Sequence, residues 1–335
     1  MGLHTRVAID VGMQPMAGNM TLIISVVSPY GVWHVSDRLV TEQVTAREFD
    51  AVANKTVLYA CIDGIVAIGY TGVAYIKNRP TDVWIAEQLI GSPYDTSRGL
   101  GMGVEVEPRT LPSAIEVLRK TLDAELARVG KPPFELLVTG WKWARRRSKR
   151  PTPFVAQVNW HKGRLKTDIP RRYWWFRRSQ RIAMAWCPDS SMPSGRPKEI
   201  QANIAKCPDA PCVARTLVDA IQLISKTNNT VGGNCMTIYL PPPQELRTEI
   251  EFVPLVEHTA VIKDSATNEV HIGPFPVVYS PWIIGPKLVS PPAVMFGGGQ
   301  FSLGRWRIDV KAQTVKVDGL HGAWSSQTRP PRPLR

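Results

Sequence analysis

Residues 20–38 read MTLIISVVSPYGVWHVSDR, and the fold is decided by how they are divided. Thr21–Val27 is a run of apolar and β-branched residues with the composition of a buried strand. Gly31–Ser36 is a second such run, and the link Ser28-Pro29-Tyr30 has the residues of a hairpin turn. The same device recurs downstream. Thr56–Ala60 and Gly64–Gly69 are two strand-like runs joined at Ile62-Asp63-Gly64, and Asp-Gly is a strong turn signal.

Two helices are expected after these hairpins. Pro80-Thr81-Asp82 opens the first, which carries Trp84, Ile85, Leu89 and Ile90 and stops at Gly91. In the second, Ile115, Leu118, Leu122, Leu126 and Val129 recur at three- and four-residue steps behind Leu111-Pro112-Ser113, and Gly130 ends it. Residues 134–141 and 153–160 alternate like a further hairpin. Ile182–Cys187 is a short apolar run, Ala214–Ser225 reads as a third helix, and Asn234–Leu240 reads as a strand after Gly232-Gly233. Pro241-Pro242-Pro243 marks a boundary. Beyond it the pattern is all strand: Val261–Lys263 with Glu269–Ile272, and Arg305–Val310 with Thr314–Val317. Residues 328–335 are rich in Pro and Arg and are expected to be disordered. The order of elements predicts an α+β protein in which two sheets stack between helical layers.

The chain has 335 residues, of which 44% are hydrophobic and 21% charged, so it can bury a full core. It is too ordinary in composition for a collagen, a coiled coil or a wholly disordered chain. No stretch approaches the ~18 apolar residues of a membrane span, and no apolar run follows a basic start. The expectation is a cytoplasmic protein with no membrane partner. Its five cysteines lack CxxC spacing, so reduced thiols and no zinc site are expected. HExxH, G-x-S-x-G and Walker A patterns are all missing, and no metal or cofactor is implied.

The formal charge of +13 is concentrated in one place. Residues 140–181 hold fourteen Lys or Arg against one acid, Asp168, and the rest of the chain is neutral. Five of the eleven Trp lie in the same stretch. An anion-binding surface would use Arg145, Arg146, Arg147, Lys149, Arg150, Arg171, Arg172, Arg177 and Arg178, since Arg beside Trp can grip phosphates and stack on bases. The plainer reading is a solvated hairpin loop whose Trp residues are buried in the flanking strands.

Several motifs, taken in order, resemble a proteasome β-subunit, a member of the N-terminal-nucleophile (Ntn) hydrolases. They are Met20–Ile24, Gly31–Arg38, Ala53–Val57 and Ala67–Gly72, then Phe134–Trp141 ending in Gly-Trp, then Phe154–Trp160 followed by Lys162-Gly163, and finally Val231-Gly232-Gly233. The resemblance spans about residues 20–240. It implies a four-layer αββα sandwich, with 1–19 a leader or mis-assigned start; outside it lie the β-rich C-terminal extension at 241–327 and the disordered tail at 328–335 that the residue pattern predicts. It also implies a threonine whose free α-amine activates its own hydroxyl. Matched residue by residue, the nucleophile would be Thr21, the carboxylate Asp37 and the lysine Lys55.

As written, Thr21 is internal and follows Met20, where the family's self-cleavage usually follows a glycine. Translation from Met20 with loss of the initiator would also expose it. The family's supporting Asp and Ser before Gly-Gly fall on Asn228 and Val231, and a third supporting serine could be Ser190, Ser191 or Ser194. The resemblance further implies a homo-oligomer of rings or stacked rings, and a separate ATP-dependent unfoldase. Three functions remain: a peptide-bond hydrolase using Thr21, a catalytically silent scaffold that contacts an anionic partner through 140–181, or a nucleic-acid-associated protein of another fold, whose binding would fall steeply with salt.

Overall fold

The computed structural model describes residues 21–321 apart from 42–47, 51–52, 95–100, 103–105, 144–150, 169–171, 178–179, 243–247, 254–256, 264–269, 280, 286–287, 293, 297–299 and 310–313. The chain opens with β1 (Ile23–Ser28) and β2 (Gly31–Asp37), then β3 (Thr56–Cys61) and β4 (Gly64–Gly72). Helix α1 (Thr81–Ile90), the short β5 (Gly101–Met102) and helix α2 (Leu111–Arg128) follow. Next come β6 (Phe134–Lys142), β7 (Thr152–His161), β8 (Arg164–Asp168), β9 (Arg172–Arg177) and β10 (Gln180–Cys187). Helices α3 (Arg196–Ile204) and α4 (Ala210–Ser225) lead to β11 (Cys235–Leu240) and β12 (Thr248–Val253). The last strands of the two large sheets are β13 (Trp282–Gly285), β14 (Leu288–Ser290), β15 (Gln300–Asp309) and β16 (Thr314–His321).

Two eight-stranded sheets dominate. One runs β9-β10-β1-β2-β11-β12-β15-β16, and the other runs β8-β7-β6-β4-β3-β13-β14-β5. Every residue of β1 and β2 is buried. Strands covered on both faces read as continuous apolar runs instead of alternating ones. Helices α1 and α2 pack their Leu, Ile and Trp side chains on the second sheet, against Val57, Tyr59, Val66 and Ile68. Helices α3 and α4 pack on the first sheet, against Leu22, Ile24, Trp33 and Val35. A third apolar group joins sheet to sheet, with Val27, Val32 and Ile238 meeting Leu58, Ala67 and Trp141.

Both hairpins turn where expected, with Ser28 opposite Gly31 and Cys61 opposite Gly64. Helix α2 buries Ile115, Leu118, Leu122 and Leu126, the residues whose spacing predicts it. Helix α4 begins at Ala210, four residues before the expected Ala214, because the Asp209 carboxylate caps the Cys212 amide and Pro211 fits the first turn. Helix α3 and strands β8 and β9 are additions to the sequence reading. The only buried residues of α3 are Pro197, Ile200 and Ile204, spaced by three and four in a polar stretch. Strand β8 is the edge of its sheet, and α2 covers it: Arg119 donates to the Leu165 carbonyl (3.0 Å), and the Leu165 amide donates to Asp123 (2.9 Å). Occupying edge groups in this way blocks pairing with another chain.

After Pro241 every described element is a strand. Strand β12 extends the first sheet beside β11, and β13 runs parallel to β3 in the second, with Trp282 fully buried. A disulfide joins Cys207, in the turn after α3, to Cys212 in the first turn of α4, which corrects the expectation of five reduced thiols. The turn brings the two Cα atoms to 5.3 Å, a span that sequence spacing does not reveal. Cys61, Cys187 and Cys235 are free and buried.

Candidate active site

Thr21, Asp37 and Lys55 come from three separate segments and meet at one end of the stacked sheets. Thr21 stands just before β1, Asp37 ends β2, and Lys55 immediately precedes β3. Asp37 therefore belongs to one sheet and Lys55 to the other. Pairing of β1 with β2 continues past the strand ends, as the Asp37 amide donates to the Leu22 carbonyl (3.1 Å). The Lys55 segment is held from two sides. The Tyr70 amide donates to the Lys55 carbonyl (3.0 Å), and the Tyr70 hydroxyl donates to the Asn54 carbonyl (3.1 Å). Two residues upstream, the Ala53 amide donates to the Arg38 carbonyl (3.2 Å), which ties this segment to the end of β2.

The three side chains are within a few per cent of complete burial. Lys55 Nζ lies 2.6 Å from Thr21 Oγ1 and 3.4 Å from Asp37 Oδ1, and it also donates to the Leu39 carbonyl. An ammonium has three protons to donate, and these acceptors are among its partners. Asp37 is satisfied in turn. Its Oδ1 accepts from the Leu22 amide (3.0 Å), and its Oδ2 accepts from the Gly232 amide (2.7 Å). Burial pushes the Asp37 carboxyl above its ordinary value, while the Lys55 ammonium and the Gly232 and Leu22 amides pull it back. Pairing lowers the cost of placing an acid and a base in so buried a place.

Sequence reasoning misses the backbone partners. Gly232 is the plainest of them, because its amide reaches Asp37 only where the chain passes very close. A Cβ at residue 232 would lie 2.5 Å from Leu39 Cβ and 3.3 Å from Asp37 Oδ2. The available signal was the Gly-Gly pair, which reads as a turn as easily as a close approach. Asn228 and Val231 are turned to other uses. Asn228 Oδ1 accepts from the amide and hydroxyl of Thr230, and Val231 is buried in the core beneath α4. Ser191 is buried in a 3-10 turn at Asp189–Ser191, beside exposed Ser190, and Ser194 is exposed. Cys235, whose thiol is raised by burial and then by the Asp37 charge, stays neutral next to the site.

The structure does not gather the proposed anion-binding residues into a described site. Arg145, Arg146, Arg147, Lys149, Arg150, Arg171 and Arg178 lie outside the described residues. Arg172 and Arg177 are the two ends of β9. Strands β8 and β9 are edge strands of the two sheets, so the basic stretch passes from one sheet edge to the other. Of the five Trp in this stretch, Trp141 and Trp143 are buried and Trp160 is half-buried. Among the described residues no group of three or more His, Cys, Asp or Glu could hold a metal ion, and no helix is long and apolar enough to cross a membrane.

No protein-family model matches this chain, and no curated protein does so. Among solved structures it is similar to Anbu (ancestral beta-subunit) from Yersinia bercovieri, with a TM-score of 0.45 and 11% identity over 66% of this chain and 82% of that one. It is also similar to a Gly-1 mutant of Anbu from Hyphomicrobium sp. strain MC1, with a TM-score of 0.41 and 10% identity over 65% and 81% of the two chains.

Proposed function

We propose that this chain is a proteasome-like Ntn hydrolase with the four-layer αββα arrangement, cleaving peptide bonds with Thr21 once residues 1–20 have been removed. The observation that carries the reading is the buried contact of Lys55 Nζ with Thr21 Oγ1 at 2.6 Å, with Asp37 behind the lysine. A threonine hydroxyl is a weak nucleophile, and a neighbouring base with an adjacent ammonium is what activates it. In the processed chain the Thr21 α-amine takes the Oγ1 proton as Oγ1 attacks the amide carbonyl carbon. The C–N bond breaks, the amine leaves with that proton, and the acyl group stays on Oγ1 as an ester. Water then splits the ester and returns a proton to Oγ1. Lys55 steadies the negative charge on oxygen throughout, and Asp37 holds Lys55 in place.

This reading brings with it a homo-oligomeric ring, a cytoplasmic setting and a separate ATP-dependent unfoldase as partner. The test is intact mass and N-terminal sequencing of untagged protein from its own source, followed by peptide hydrolysis. A chain beginning at Thr21, active on peptides and silenced by Thr21→Ala without loss of fold, is the expected result. A chain that retains residues 1–20 and hydrolyses nothing would overturn it. A second reading, the silent scaffold, is favoured by one observation: neither Asn228 nor Val231 offers the site an ionisable side chain. In that case the retained leader would be accompanied by salt-sensitive binding of an anionic partner at 140–181.

A further inference from the structure

Arg38 is a charged side chain that the hydrolytic scheme leaves without a task. It is 1% exposed and, among the described residues, one of the largest side chains to be so fully buried. Burying a guanidinium is costly, and its contacts have to offset that cost. Asp37 precedes Arg38 and Leu39 follows it, and both supply acceptors to the Lys55 ammonium. The same two residues lie against Gly232, whose amide donates to Asp37 and where a Cβ would meet Leu39. Arg38 thus sits at the centre of the short stretch that receives Lys55.

What Arg38 holds is residue 53. The Ala53 amide donates to the Arg38 carbonyl (3.2 Å), and Arg38 Nε donates to the Ala53 carbonyl (3.4 Å). Main chain and side chain of one residue grip both polar groups of the other. The Arg38 amide donates in turn to the Asn234 carbonyl (2.9 Å), which fixes the clamp to the entry of β11. Ala53 stands two positions before Lys55, whose ammonium ends a flexible four-carbon stem. A swing of the backbone at residue 53 is carried to Nζ, and a misplacement of about 1 Å can cost about 10²-fold in rate. The groups that pull the Asp37 carboxyl down against burial are Lys55 and the Gly232 and Leu22 amides, whereas the Arg38 charge is felt at the Cys235 thiol. Arg38 therefore serves Lys55 by geometry. We propose that Arg38 is a positioning residue: by clamping residue 53 to the end of β2, it sets the contact of Lys55 Nζ with Thr21 Oγ1. The inference rests on the reading of Thr21 as the nucleophile.

Two variants separate the donor from the charge. Arg38→Gln places an amide N–H where Arg38 Nε stands and removes the charge. Arg38→Lys keeps the charge but puts a methylene at that place and carries its donors one atom further out. The chain processed to Thr21 is assayed on fluorescein-labelled casein, with rates given per folded molecule. Arg38→Lys is expected to lower kcat about 10- to 100-fold, and Arg38→Gln to stay within about threefold of the wild type. Urea unfolding should rank the two the other way, because only Arg38→Gln removes a charge that its buried surroundings hold. An Arg38→Lys rate equal to the wild type, or rates that follow stability, would make Arg38 a merely structural residue and overturn the proposal. Should Arg38→Gln fail to fold, the Arg38→Lys rate decides by itself. A second readout needs no turnover: acetylation of Lys55 by acetic anhydride in the full chain, read by peptide mass spectrometry with exposed Lys120 as reference. Arg38→Lys should loosen the clamp and raise the Lys55 rate about tenfold. A wild type that hydrolyses nothing while Lys55 responds in this way would refute the hydrolase reading and leave the clamp standing. A wild type that hydrolyses casein, with neither kcat nor acetylation moved by Arg38→Lys, would leave the hydrolase and refute the clamp.

Discussion

Ser36 and Asp37 are neighbours on β2, and Thr56 and Lys55 are neighbours at the start of β3, yet the two contacts between these segments differ in chemistry. Asp37 meets Lys55 as an ion pair at 3.4 Å. One residue away Ser36 meets Thr56 as two neutral hydroxyls, also at 3.4 Å. The neutral contact opens onto a network between the sheets. Thr56 Oγ1 lies 3.3 Å from His34 Nε2, while His34 Nδ1 lies 2.9 Å from Ser25 Oγ and 3.0 Å from Thr139 Oγ1. Both clusters bridge the two sheets and both are dry. Among the described residues the hydrogen-bond partners of the His34 ring are hydroxyls, and burial lowers its pKa to about 3, so it is a neutral ring. Lys55 and Asp37 face each other as an ion pair, and burial raises the Asp37 carboxyl while Lys55 and the Gly232 and Leu22 amides oppose that rise. Burial alone therefore does not decide whether a group here is charged. Its partners count as well, and Thr21 Oγ1 lies beside the ion pair.

The harshest way to break this contrast is to remove one charge. Lys55→Met leaves Asp37 buried with only amide partners, at a cost of about 3–5 kcal/mol in urea unfolding. On the proposed mechanism it should also lower peptide hydrolysis by a factor on the order of 10²–10³ in the folded fraction. Adding Asp37→Asn should restore part of the stability and none of the activity, since the uncompensated charge is then gone. A Lys55→Met chain as stable as the wild type would mean that Asp37 is already protonated in the fold. Cutting the neutral cluster should act on stability alone. His34→Ala opens a cavity and takes a partner from the Ser25, Thr56 and Thr139 hydroxyls, for about 2–4 kcal/mol. Its hydrolysis rate per folded molecule should match the wild type; a rate loss beyond the folded fraction would join the two clusters into one machine.

The two clusters also differ in how far the sequence reveals them. Thr21, Asp37 and Lys55 stand in segments that resemble a known family, so they could be picked out together. His34 is one of six scattered histidines and sits in a strand-like run, where a core residue is the ordinary reading. The hairpins were legible because Asp63-Gly64 and Ser28-Pro29-Tyr30 are local signals. Helix α3 was not, since RPKEIQANI has too few apolar residues to show a period. Strand β8 was hidden by its charges, because Arg164, Lys166 and Asp168 face solvent and only Leu165 is buried. The parallel docking of β13 on β3 joins residues more than two hundred positions apart and leaves no local mark. Backbone donors leave none either. Gly232→Ala tests that hidden part: its methyl would press on Leu39, shift the amide from Asp37 and cost about 1–3 kcal/mol. Hydrolysis should fall as well, because Asp37 positions Lys55. Full activity in this variant would reduce the Gly232 amide to a packing detail.

The smallest effect is the sharpest probe of the neutral cluster. The folded pKa of His34, about 3, lies below its ordinary 6.5. The unfolded chain therefore takes up a proton that the folded chain refuses as pH falls through 6.5. The stability associated with the neutral ring is fully present above 6.5, declines below it, and goes on declining until about pH 3. Between pH 7.5 and 5.5 the loss amounts to about 1 kcal/mol. Urea midpoints across that range should slope in the wild type and flatten in His34→Ala, whose other titrating groups are unchanged. The difference between the two slopes isolates His34 from every carboxylate in the chain. Parallel slopes would show that the ring shares its proton with solvent in the folded state. The hydroxyls of Ser25, Thr56 and Thr139 would then be solvating a cation, and the two clusters would no longer differ in kind.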